Sequence, residues 1–200
     1  MGQTWRSREK NHSHFHFKNV FFTTFKPMLE ELITSKTRLR LLIKFFISQA
    51  NRGYLNGLAT EMGESTNSIR KELNHLQGAG YLEKVKVNNK VEYKANTKHP
   101  LFAVLQKVVF KHLGLEDVVD TVLERMGDVQ EIILVGDYAH GNDSGKIEVF
   151  LIGEQLNMEY IVQLEEKIEK LIKRKISFYL ASKFLSTQPH IVLFNEKDNR

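Results

Sequence analysis

The chain has no cysteine among its 200 residues. That absence excludes disulfide frameworks, cysteine-containing metal sites and thiol nucleophiles together. It also lacks an uninterrupted apolar run of the roughly eighteen residues needed to cross a bilayer. The first twenty residues carry Arg6, Arg8, Glu9, Lys10 and Lys18 with no continuous apolar segment, so they do not read as a secretory leader. The location expected on these grounds is the cytoplasm, with no membrane partner.

A mass of 23.3 kDa and a hydrophobic fraction of 42% allow one large core or two modest ones without covalent staples. The net charge of +5 is unevenly spread. Residues 34–99 hold 12 Lys and Arg against 5 Asp and Glu, whereas residues 100–200 hold 12 against 16. A basic middle joined to an acidic C-terminal half suits a nucleic-acid module attached to a different module, because only the docking module needs positive potential.

Residues 1–28 form an N-terminal extension. His12, His14 and His16 alternate, so an extended chain would put them on one face, and Phe15, Phe17, Phe21, Phe22 and Phe25 follow. The segment reads as an extension ordered against the body or a partner, able to cover an apolar seam. A short helical stripe of Met28, Leu29, Leu32 and Ile33 comes next. Thr34 or Ser35 then starts a helix through Leu39, Leu42, Ile43, Phe46 and Ile47, with Lys36, Arg38, Arg40 and Lys44 on its polar side. After Gly53, a shorter helix turns Leu55, Leu58, Ala59 and Met62 inward.

The stretch from Ser65 to Leu76 carries the most information. Ser65 is placed to cap a helix, and Ile69, Leu73 and Leu76 share a buried face at i, i+4 and i+7. The opposite side presents Thr66, Asn67, Arg70, Lys71 and Asn74. Short polar groups near a helix start and long basic groups one turn later suit insertion into a major groove, where Asn pairs with adenine and Arg with guanine or phosphate. Gly78, Ala79 and Gly80 stop the helix. Tyr81–Val87 and Val91–Ala95 then read as two strands joined by a tight turn at Asn88-Asn89, decorated by Lys84, Lys86, Lys90 and Lys94. Helix, turn, helix and basic hairpin in succession describe a winged helix over residues 29–99, in which Lys86 and Lys90 assist phosphate contact.

The runs TSKTRLRLLIKFF at 34–46, YLNGLATEMGESTNSIRKELNHLQGAGYL at 54–82 and NNKVEYKANTKHPLF at 88–102 resemble bacterial winged-helix transcriptional regulators of the ArsR-like type. Within that type, the closing Tyr, Asn and His-Pro-Leu is similar to members in which the DNA-binding domain precedes a nucleotidyltransferase-like domain. The resemblance implies operator binding, usually by a homodimer. Metal sensing through cysteine does not carry over to a chain without cysteine.

Residues 100–114 read as a connecting helix and 115–200 as a small α/β domain. A helix is expected over Leu115–Met126, strands at Glu131–Gly136, Lys146–Gly153, Ile176–Leu180 and Ile191–Phe194, and an amphipathic helix over Tyr160–Ile172. The fold class expected is therefore two-domain α/β, a winged helix-turn-helix followed by a nucleotidyltransferase-like domain. The run GDYAHGNDSGKIEVFLIG at 136–153 resembles the nucleotidyltransferase signature, in which a Gly-Ser turn cradles a triphosphate and a strand displays two acidic residues one apart. Carboxylates at i and i+2 of a strand share a face and hold divalent ions. Here Gly136 and Gly141 match, but Asp137 stands at the serine position and the strand positions are Lys146 and Glu148. A lysine cannot ligate a cation, and no third carboxylate lies within Ile176–Leu180. Asp143 could stand in beside Glu148, although not with the same strand geometry.

The reading is a non-enzymatic, cytoplasmic transcriptional regulator. It binds a duplex operator through Thr66, Asn67, Arg70, Lys71, Asn74, Lys86 and Lys90, as a homodimer and without a cofactor or metal. A residual pocket for an unidentified small molecule is expected at Gly136, Asp137, Gly141, Lys146 and Glu148. The alternatives are a nucleotidyltransferase or nucleotide-sensing protein, and a winged helix that binds another protein.

Overall fold

A computed structural model describes Leu29 and residues 32–199 of the chain. The alternating histidines, the phenylalanine run and the extension assigned to 1–28 lie outside the described residues.

Helix α1, Lys36–Phe46, starts where the Ser35 hydroxyl accepts the Arg38 backbone N–H at 3.2 Å. It buries Leu39, Leu41, Leu42, Ile43, Phe45 and Phe46, because its apolar positions cover more than half its circumference. Strand β1 (Arg52–Tyr54), α2 (Leu55–Met62), α3 (Thr66–Gly78) and the hairpin β2 (Leu82–Val87) and β3 (Lys90–Ala95) follow. The sheet order is β1-β3-β2, all antiparallel. Three helices closed by a small sheet with a projecting hairpin make a winged-helix-like arrangement within a mixed α/β chain. The hairpin turns through Asn88 and Asn89 at φ 45° and 61°, the left-handed pair of a two-residue type I′ turn, which asparagine tolerates better than most residues. Strand β1 was not expected from the sequence. Three residues are too few for an alternation to register.

Helix α4 spans Phe102–Leu113 and α5 spans Leu115–Arg125. The C-terminal sheet is formed by β4 (Gly127–Val135), β5 (Lys146–Leu156), β6 (Lys175–Ala181) and β7 (Ile191–Asn195), in the order β6-β5-β4-β7. Only β5 and β6 run parallel, joined by the crossover helix α7, Ile161–Ile172. Helices α5 and α7 pack together on one face, where Val118, Val122, Ile132, Leu134, Val149, Leu151, Leu164 and Ile168 are all fully buried. Strand β4 begins four residues before the expected Glu131, with register shifts between Gly127 and Glu131 that break the alternation a sequence pattern needs. It also ends before Gly136, which opens the single-turn helix α6, Gly136–Ala139.

The two halves share one continuous apolar core. Helix α4 carries it across, with the Phe102 ring 5.6 Å from that of Phe46. Along α3, Ile69 and Leu73 are wholly buried while Asn74, one position further on, is exposed. Truncating Ile69 to alanine is therefore expected to lower unfolding free energy by about 2–5 kcal/mol, whereas Asn74→Ala changes it by no more than about 0.5 kcal/mol. Urea unfolding of the two variants checks this. Equal losses would mean that α3 is rotated from the orientation described.

Candidate nucleic-acid interface

Helix α3 begins at a capped turn, the Ser65 hydroxyl accepting the Ser68 backbone N–H at 3.1 Å. Its inner face packs Ile69, Leu73 and Leu76 at 3% exposure or less. The hundred-degree step between residues then leaves Thr66, Asn67, Arg70, Lys71 and Asn74 exposed together. Arg70 Nη1 donates to Asn67 Oδ1 at 3.3 Å, one helical turn back. This pre-arranges an amide and a guanidinium side by side, the two groups suited to base edges and phosphates. No described carboxylate forms an ion pair with Arg70 or Lys71, so their charge is available to a partner.

A residue that sequence reasoning missed holds this helix in place. Glu72 lies on the buried side, beside Leu73, and accepts Arg38 Nε at 2.7 Å and the Ser35 hydroxyl at 2.8 Å. A further bond of 3.2 Å joins the Thr37 and Ser68 hydroxyls. Burial by itself pushes the Glu72 carboxyl up, but the bonds from Arg38 and Ser35 outweigh it and leave the group below its ordinary value. The i and i+3 spacing of Ile69 and Glu72 was the available signal, because it puts a carboxylate on the core side of an amphipathic helix. Arg38, assigned from the sequence to the polar side of α1, is bonded to Glu72 of its own domain.

On the hairpin, both expected phosphate contacts are exposed, but register separates them. Lys86 pairs with Val91 and lies with Lys84 on the face that carries Leu82 and Ala95 into the core; Lys90 pairs with Val87 and lies on the other. Lys94, also part of the expected basic decoration, is bound to Glu83 at 3.1 Å.

In the α/β half the structure gathers only some of the expected pocket residues. The Glu148 carboxylate lies directly against the Cα of Gly136, which adopts φ +66°. It also accepts Lys146 Nζ at 3.2 Å and the Tyr179 hydroxyl at 2.9 Å. The space beside Gly136 is thus filled by the protein's own carboxylate, and a lysine supplies the counter-charge. The bond to Glu148 raises the Lys146 ammonium, keeping it charged. Ser177, not an acid, pairs with Glu148 from β6. Gly141 is elsewhere: at φ +76° it sits against α1, where a Cβ would fall 2.6 Å from the Cα and the carbonyl oxygen of Lys44. Asp137 is exposed. Asp143 is held by Arg174 Nη2 at 3.3 Å and by the Tyr138 hydroxyl, which removes it as a companion for Glu148. Among the described residues no group of three His, Cys, Asp or Glu could hold a metal ion, and no helix is long and apolar enough to cross a membrane.

Lys44 differs most from its sequence reading. It was assigned to the polar side of α1, yet its side chain is 9% exposed, with Nζ 2.8 Å from Glu61 Oε1 and 2.7 Å from the carbonyl oxygen of His140. The α/β half covers a face that looks solvent-directed when α1 is considered alone.

No protein-family model and no curated protein matches the chain. Among solved structures, the crystal structure of the AntR antimony-specific transcriptional repressor is similar over 46% of this chain and 78% of its own, at 18% identity. The TM-score of 0.35 is too low for that likeness to bear on fold or function.

Because the folded Glu72 carboxyl titrates below its ordinary value, its contribution to stability is complete above the ordinary carboxylate range. It is lost as pH falls through the depressed folded value. Glu72→Gln is expected to cost about 1–3 kcal/mol at neutral pH, and the gap to wild type to narrow at pH about 3. Urea melts at the two pH values measure it; a gap that stays constant would show that folding does not lower the Glu72 carboxyl.

Proposed function

We propose that this chain is a DNA-binding transcriptional regulator of the ArsR-like type that reads a duplex operator through α3. Thr66, Asn67, Arg70, Lys71 and Asn74 meet the major groove, and Lys86 and Lys90 contact the backbone on either side of the wing. The observation that carries the reading is the division of α3 into an apolar face buried in its own domain and a polar, basic face that no described element covers. Free basic groups beside an Asn at a helix start fit a nucleic acid, because each neutralised phosphate contact releases counterions.

The α/β half is proposed to be a nucleotidyltransferase-like scaffold that has lost transfer chemistry. Lys146 occupies a strand position where a cation ligand would be required, and Glu148 is already neutralised by it. A small-molecule ligand at this half would have to displace the Glu148 side chain from Gly136. Pairing of two copies is proposed because two recognition helices can then read half-sites about 34–36 Å apart. Leu101 and Val104, exposed at the start of α4, offer apolar surface for it. The setting proposed is the cytoplasm.

Arg70→Ala with Lys71→Ala is expected to weaken binding to an operator selected by the wild type by about tenfold or more, and to flatten the dependence of log affinity on log salt by about one to two units. The melting temperature should stay within a degree or two, because neither side chain packs. Fluorescence anisotropy titrations at several salt concentrations measure both quantities. Unchanged affinity and slope would remove α3 from the interface. Light scattering that stays monomeric through the micromolar range, with and without DNA, would remove the pairing.

A further inference from the structure

The turn from Gly136 to Gly141 touches both the carboxylate site of the α/β half and the helix that holds α3, and we propose that it is the coupling element that sets DNA affinity from the α/β half. The inference rests on the DNA-binding reading above and adds how that binding is governed.

At its first residue the turn abuts Glu148, as described, so any change in the position or charge of that side chain is felt by the backbone of Gly136. The segment between is stiff. Tyr138 is completely buried, and its hydroxyl is shared among Asp143, Arg174 Nε at 3.1 Å and the Gly145 backbone N–H at 3.2 Å. At the far end, the His140 carbonyl accepts Lys44 Nζ, and Gly141 rests on the backbone of Lys44 so closely that no side chain could stand there. Asn51 Nδ2 closes the same contact by donating to the Lys44 carbonyl at 2.9 Å. Helix α1 then leads from Lys44 to Ser35 and Arg38, whose bonds to Glu72 hold α3.

The chemistry of the contact suits a switch better than a permanent seam. Lys44 is satisfied by one partner from each half, Glu61 and the His140 carbonyl, and water could replace the second if the turn withdrew. The apolar core keeps the two halves together, but the contact of Lys44 with the His140 carbonyl is polar and gains little net free energy on burial, so the end of the turn shifts locally in response to a change at Glu148. A small polar cavity of about 90 Å³ between Arg40, Glu61, Asn142 and Asp143 lies along the same junction, leaving room for the turn to move.

The test uses the full chain with Lys44→Met, which keeps the stem but removes the charge, Gly141→Ala, which blocks docking, and Glu148→Gln alone and combined with Lys44→Met. Two readouts apply: anisotropy with the DNA selected by the wild type, and amide hydrogen exchange of residues 66–78 without DNA. Lys44→Met or Gly141→Ala is expected to change DNA affinity by about fivefold or more and to alter exchange in α3, although neither residue lies on its exposed face. The effect of Glu148→Gln should vanish in the Lys44→Met background. Folded variants with wild-type affinity and exchange, or Glu148 and Lys44 effects that multiply independently, overturn the coupling. Should Gly141→Ala fail to fold, Lys44→Met decides alone. A wild type that selects no DNA defeats the functional reading instead, and the exchange measurement still decides whether the turn communicates with α3.

Discussion

The buried contact between α1 and α3 governs what the rest of the molecule can do. Ile69, Leu73 and Leu76 supply its apolar part, and Glu72 its polar part through Arg38 and Ser35. Apolar burial resists withdrawal of the helix but tolerates small rotations about its axis, because hydrophobic contact is not directional. The charge-assisted bonds to Glu72 are directional. Together they leave one strip of α3 facing outward, and that strip is where Asn67, Arg70, Lys71 and Asn74 stand.

Charge on this surface divides by whether a carboxylate lies within reach. Lys44, Arg38 and Lys94 are paired with carboxylates of the chain itself, so the excess of Lys and Arg over residues 34–99 overstates what a phosphate backbone would meet. Among the described residues, exposed basic charges without an ion pair stand on α3 and the hairpin, with Lys86 and Lys90 on opposite faces of the ribbon, and also at Lys36 and Lys98. Two-sided placement suits a hairpin inserted edge-first beside a backbone better than one lying flat upon it.

The α/β half layers helices on a mixed sheet while its most distinctive turn serves packing. Gly136 accommodates the Glu148 carboxylate, and Gly141 accommodates Lys44. Both glycines therefore have a reason to be glycine that involves no bound ligand, since a side chain at either position would collide with a neighbour. Tyr138, Asp143 and Arg174 stabilise the turn from within. The burial that pushes the Tyr138 hydroxyl up, reinforced by its bond to Asp143, keeps it protonated and able to donate.

Periodicity along the chain was sufficient for α1, α3, α7 and the hairpin, since each has an apolar repeat of at least two turns or an unambiguous two-residue turn. It was also sufficient for the outward strip of α3, because the positions opposite a buried triplet are fixed by helical geometry alone. It could not reach β1, three residues long, or the irregular start of β4. Nor could it show the burial of Lys44, the capture of Asp143 by Arg174, the filling of the Gly136 cradle by Glu148, or the opposed faces of Lys86 and Lys90. Each of these depends on which segments distant in sequence come to lie against one another. A local pattern states how one element divides its own surface; whether a charged side chain on that surface meets water or a partner is settled only when the second half of the chain folds over the first.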